Sequence, residues 1–85
     1  MGKPDKILHS VLSSRQDQNV RFTDLLRLLQ HLGFTCHVRG SHHIHHHPQL
    51  PEILNLQPRK DGKAKPYQVR QCRQLITHHR LGLDP

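Results

Sequence analysis

Residues 32–47 read LGFTCHVRGSHHIHHH, and the fold turns on how that stretch is divided. Gly33 follows a leucine-rich run at the place where a left-handed helix C-cap is expected. Beyond it Phe34, Cys36 and Val38 alternate with Thr35, His37 and Arg39, a period of two that predicts a strand. Gly40 and Ser41 form a tight turn, with Gly40 supplying a positive φ and the Ser41 hydroxyl completing the turn. His43 to His47 then return as the second strand of a hairpin.

Working upstream, Phe22, Leu25, Leu26, Leu28, Leu29 and Leu32 recur at intervals of three and four, which predicts an amphipathic helix ending at Gly33. The polar run Ser13 to Asn19 separates it from a shorter helix over Pro4 to Leu12, with Pro4 at a permitted first-turn position. Downstream, Glu52 to Gln57 (EILNLQ) alternates again and stops at Pro58, giving a third strand. Arg59 to Lys65 (RKDGKAK) is a basic loop with a turn-forming Asp-Gly pair. Pro66 opens a last helix running to about His79 and ending near Gly82. Its buried face is Val69, Cys72, Leu75 and Ile76, and Arg70, Arg73, Thr77 and Arg80 make a basic stripe on another face. The order predicts an α+β fold: residues 1–21 as an N-terminal helical extension, residues 22–82 as the domain, and residues 83–85 as a frayed end. Without the extension, αβββα is the order of double-stranded RNA-binding folds, a three-stranded antiparallel sheet with two helices on one face.

Eighty-five residues hold one small domain with one core. Hydrophobic residues make up 33% and the mean hydropathy is -0.74, yet the leucines cluster where periodic elements need them. A formal charge of +7 and a pI near 10.3 point to a polyanionic partner, a nucleic acid or an acidic protein. The N-terminus does not resemble a signal peptide, and no apolar run approaches the roughly 20 residues that span a bilayer. A soluble cytoplasmic protein without a membrane partner is therefore expected. Cys36 and Cys72, without a CxxC pair, read as buried apolar residues rather than a redox or zinc site.

The histidines allow two kinds of chemistry. On a strand His43, His45 and His47 share a face and could chelate a metal, but no HExxH pattern or ordered Cys-His spacing accompanies them, so adventitious binding is expected and no metal or cofactor is assigned. Alternatively a histidine moves a proton near neutral pH, and RNA brings its own nucleophile, the 2′-hydroxyl. His42, directly after the turn, is the candidate base or acid, with Lys63, Lys65, Arg70 and Arg73 to hold phosphates. Strand parity puts His42 with Ile44 and His46 on one face, so a buried Ile44 would leave His42 partly shielded.

Leu32-Gly33-Phe34, then Arg39-Gly40-Ser41-His42-His43-Ile44, a short strand and a Lys-rich loop leading into a final helix resemble the HicA toxins of prokaryotic toxin–antitoxin systems. The resemblance runs from about Phe22 to Gly82. It implies a double-stranded RNA-binding-like fold, ribosome-independent cleavage of messenger RNA, and silencing by a cognate HicB antitoxin. The histidine following the Gly-Ser pair, His42 here, is implied as catalytic; His43 beside it is a candidate for positioning substrate, with a plain surface role the alternative. Residues 1–21 exceed the minimal toxin, and ILNLQP with AKPYQVRQCRQLI looks like a longer subgroup. Where relatives place a stacking aromatic after the histidine pair this chain has His45, leaving Tyr67 to stack or pack. The alternative is a non-catalytic RNA-binding module of the same fold, which needs basic residues and no histidine.

Overall fold

The computed structural model describes residues 3–82, so the fraying expected of residues 83–85 lies outside the described residues. Its elements are α1 (Pro4–Ser13), α2 (Phe22–His31), β1 (Thr35–Arg39), β2 (His42–His46), β3 (Leu54–Leu56) and α3 (Pro66–His78). The three strands form one antiparallel sheet in the order β1-β2-β3. This is the expected α+β arrangement, αβββα with an additional N-terminal helix.

Local chemistry fixes the helix ends. Gly33 takes φ 100, its N–H donates to the Gln30 carbonyl, and the Phe34 N–H reaches back to Leu29 at 3.0 Å. This is a Schellman cap, and its apolar partners Phe34 and Leu29 are both buried. The cap explains why β1 starts at Thr35 and not at Phe34. The last helix ends in the same way but earlier than expected: Arg80 takes φ 54, and the Leu81 N–H donates to Ile76 at 3.0 Å. A left-handed arginine therefore terminates α3, and Gly82 is not needed for the cap.

The core draws on every helix and on the sheet. Ile7 and Val11 of α1, Leu25, Leu28 and Leu29 of α2, Leu54 and Leu56 of β3, and Val69, Cys72 and Ile76 of α3 belong to one buried cluster. Each fully buried leucine is worth roughly 1.5–3 kcal/mol of transfer free energy. The helix of the N-terminal extension is thus part of the same core. It is also tied to α3 by Arg73, distant in sequence, whose guanidinium donates to Asp17 at 2.8 and 3.2 Å and to the Val11 carbonyl at 3.1 Å.

Sheet register decides which face of β2 meets the core. His45 pairs with Cys36 and Leu54, and His43 with Val38 and Leu56, so the face that meets the core carries His43 and His45. His45 is only 2% exposed, whereas Ile44 is half-buried on the outer face with His42 and His46. Leu54 and Leu56 on β3 decide this parity, because two leucines bury more apolar area than one isoleucine. Two strand boundaries also differ. β2 begins at His42 rather than His43 and lacks His47, and β3 spans three residues rather than Glu52 to Gln57.

Candidate functional site

His42 opens β2 immediately after the two-residue turn Gly40–Ser41, which is closed by the Arg39↔His42 pair. Gly40 takes φ 60 with open space around it, while Ser41 does not have a positive φ, the pattern of a type II′ hairpin turn. The turn delivers His42 to the solvent face at one end of the sheet, exposed rather than shielded.

Two side chains meet its ring, Asn55 of β3 and Gln57 just past its end. Asn55, paired with Ile44, is the diagonal neighbour of His42, and its Oδ1 lies 3.1 Å from Nδ1. An amide oxygen can only accept, so this contact favours a proton on Nδ1 and a lone pair on Nε2. The Gln57 Nε2 amide lies 2.8 Å from that ring Nε2, to which it donates, and 3.0 Å from Nδ1. Lys65 Nζ donates to Gln57 Oε1 at 3.2 Å, which fixes the amide with its nitrogen toward the ring. Beneath them Gln68, 3% exposed, accepts from the Gln57 N–H at 3.2 Å and donates to the Asn55 carbonyl at 3.3 Å. The buried amide thus occupies the free edge of β3 and ties it to α3.

The basic loop is pinned rather than free. Its Ala64 N–H donates to the Val20 carbonyl at 2.8 Å, the Phe22 N–H donates to Gly62 at 3.0 Å, and Arg59 pairs with Lys63 across the Asp61–Gly62 turn. Bridges Arg21↔Lys63 and Pro58↔Ala64 complete this small annex. Lys63 Nζ donates to Asn19 Oδ1 at 3.1 Å.

The residues singled out from sequence therefore divide. Lys65 joins His42 through Gln57. Lys63 sits beside the α1–α2 connection, and Arg70 is exposed on α3. Arg73 is engaged by Asp17 with both side chains four-fifths buried, which makes it a strut between α1 and α3 instead of a free cation. His43 faces away from His42: its ring meets Phe22 edge-on at 4.9 Å, and its Nδ1 lies 3.3 Å from the Ser41 carbonyl. Tyr67 is 57% exposed, with its ring open to solvent two residues past Lys65.

The remaining histidines of the segment are structural in their contacts. His47 Nε2 donates to the Leu32 carbonyl at 3.1 Å, its Nδ1 accepts from the Gln49 N–H at 3.1 Å, and its ring packs edge-on against Phe34. His45 Nδ1 donates to the His43 carbonyl at 3.1 Å, and burial pushes the His45 pKa below its ordinary value. The face shared by His43, His45 and His47 is the inward one, and among the described residues no three His, Cys, Asp or Glu side chains come together as a metal site. Burial pushes the Cys72 thiol up to about 12, so it is an inert core residue. Cys36 is exposed, contrary to expectation, although desolvation still raises its pKa. Away from the site, His79 Nε2 lies 2.9 Å from both carboxylate oxygens of Glu52, and this hydrogen bond lowers the Glu52 pKa.

Asn55, Gln57 and Gln68 were not singled out from sequence. The signal available for two of them was parity: Asn55 and Gln57 alternate with Leu54 and Leu56, so both belong to the strand's outer face. Among the described residues no helix is long and apolar enough to cross a membrane. No curated protein and no solved structure matches the chain. A family model described as the HicA toxin of bacterial toxin–antitoxin systems matches residues 22–76, from the start of α2 to the last buried turn of α3 and including all three strands. With more than half of its length matched, the chain belongs to the HicA family of toxin–antitoxin toxins.

Proposed function

We propose that this chain is a cytoplasmic, metal-independent endoribonuclease that cleaves messenger RNA, with His42 as its catalytic base. The observation that carries the reading is the setting of the His42 ring: it is exposed, with Nδ1 3.1 Å from the Asn55 side-chain oxygen and Nε2 2.8 Å from a polar amide tethered to a lysine. In the reaction Nε2 takes the proton of a 2′-hydroxyl, the 2′-oxygen attacks the adjacent phosphorus, and the P–O5′ bond breaks. The imidazolium then returns the proton to the departing 5′-oxygen. The products are a 2′,3′-cyclic phosphate and a free 5′-hydroxyl.

Lys65 is within reach of the reacting phosphate, while Lys63 and Arg70 extend a positive surface along the backbone. The exposed Tyr67 ring offers a stacking platform for an unpaired base, the role for which His45 is too buried. Arg73 is left out of the phosphate contacts because Asp17 already holds it. A HicB-type antitoxin is the expected inhibitor, and an acidic face docked on these lysines would cover His42.

Growth and total RNA integrity after induction test the reading directly, comparing the wild type with His42→Ala at equal expression and equal folding. Growth arrest and RNA loss confined to the wild type are expected. If neither chain harms the cell, or if the variant is as toxic as the wild type, His42 is not the base of a ribonuclease.

A further inference from the structure

Asn55 and Gln57 belong to no element that the resemblance assigns to chemistry, yet both end on the His42 ring. Asn55 is a polar residue on a three-residue edge strand whose other two positions are buried leucines. Its side chain is exposed, so its packing contributes little. What it does have is an oxygen 3.1 Å from Nδ1. A solvent-exposed histidine is otherwise free to exchange its proton between the two ring nitrogens, and a neutral ring protonated on Nε2 cannot accept a proton there. An acceptor held at Nδ1 removes that ambiguity.

The backbone behind the two residues is built to hold them. Gln68 is more than nine-tenths buried, and both ends of its amide are spent on the Asn55 carbonyl and the Gln57 N–H. A free strand edge would let these positions drift, whereas a buried bidentate clamp sets them from the core outward. Gln57 then places an N–H 2.8 Å from Nε2, in the position a 2′-hydroxyl must occupy to surrender its proton. Lys65 restrains the other end of the same amide.

We infer that Asn55 is a positioning residue that holds His42 in the Nδ1–H tautomer, and that Gln57 occupies the Nε2 lone pair until RNA displaces it. The inference rests on the reading of His42 as a base. Once displaced, the Gln57 amide N–H and the Lys65 ammonium are free to donate to phosphate oxygens on the same substrate. The site is therefore composite: one histidine from β2, and a proton-directing rail from β3 braced by α3.

Nitrogen-15 NMR of the ring, on the full chain without RNA, reads the tautomer independently of any activity. The wild type is expected to show His42 protonated mainly on Nδ1. Asn55→Ala is expected to shift the population toward Nε2–H and to slow cleavage of a single-stranded RNA about 10- to 100-fold, with an unchanged melting temperature. Asn55→Asp keeps the acceptor and restores the Nδ1–H form. Its carboxylate favours the charged ring, so the neutral base is reached only at higher pH and the acid limb of the pH–rate profile moves up by about one unit. A merely structural asparagine would move neither the tautomer nor that limb. If the wild type cleaves RNA with His42 protonated on Nε2, or if Asn55→Ala cleaves at the wild-type rate, the inference is overturned and His42 as base survives. A wild type with the Nδ1–H form that cleaves no RNA overturns the ribonuclease reading and, with it, any catalytic role for Asn55.

Discussion

The two faces of β2 carry the same residue type to opposite ends. On the inward face, His43 and His45, with His47 just beyond the strand, turn their rings to Phe22, the core and Phe34, and their nitrogens are taken up by backbone groups. On the outward face, the His42 ring meets the side-chain amides of Asn55 and Gln57, the second held by Lys65. A ring held by the backbone is part of the fold, since moving its proton breaks a structural bond. A ring held by polar side chains at the surface can exchange partners and protons. The difference is set by strand parity, not by the identity of the residue.

The sharpest way to break this contrast is to place a charge on each face. His45→Asp puts an unpaired carboxylate at a position 2% exposed, and a loss of about 3 kcal/mol or outright unfolding is expected in chemical denaturation. His46→Asp, one residue away on the outer face, is expected to stay within about 0.5 kcal/mol of the wild type. Equal effects would mean that the faces are not distinguished as described.

The next test concerns the inward ring at the helix junction. Gly33 has φ 100, and a Cβ there would lie 3.0 Å from His47 Nε2. Gly33→Ala should cost about 1–3 kcal/mol. Adding His47→Ala removes the clash but not the backbone strain, so the double variant should cost less than the two single changes added together. Strict additivity in denaturant titrations would show that the ring and the cap are uncoupled.

Two basic residues sharpen the comparison further. Arg73→Ala breaks a bidentate, partly buried ion pair and should lower stability by about 1–2 kcal/mol while leaving RNA affinity nearly unchanged. Lys65→Ala should do the reverse, leaving stability within about 0.5 kcal/mol and reducing the salt dependence of RNA binding by about one unit of slope.

The smallest effect is on acid stability. Burial lowers the His45 pKa below its ordinary 6.5, so between the two values the unfolded chain binds more protons than the folded one. Stability from this group is complete above about pH 6.5 and declines as the pH falls below it. His45→Leu should flatten the fall in melting temperature between pH 7 and 5.5. A variant that loses stability as steeply as the wild type would assign the acid sensitivity to other groups.

Much of this was legible in sequence, for physical reasons that can be named. Leucine periodicity revealed α2, glycine chemistry revealed the Gly33 cap and the Gly40 turn, and Val69, Cys72, Leu75 and Ile76 marked the buried face of α3. The inward face of β2 could not be chosen from that strand, where Ile44 is the only aliphatic residue, because parity is set by Leu54 and Leu56 on the neighbouring strand. No local pattern in β2 contains that information. Arg73 looked like its neighbours Arg70 and Arg80, because a basic stripe does not disclose an Asp17 brought against it from 56 residues away. Nothing in the helical pattern marks Gln68 for burial; the unpaired edge of β3 is what draws it inside.

The most direct test is cleavage of a single-stranded RNA in the presence of a chelator by the wild type, His42→Ala and His45→Leu, each rate divided by the folded fraction and set beside the melting temperature. We expect His42→Ala to lose about 10²- to 10⁴-fold in rate at an unchanged melting temperature. His45→Leu should cut at the wild-type rate per folded molecule, with a 2′,3′-cyclic phosphate as product. Full activity in His42→Ala, or activity lost only in His45→Leu, would contradict the division of the two faces into one that reacts and one that holds the fold.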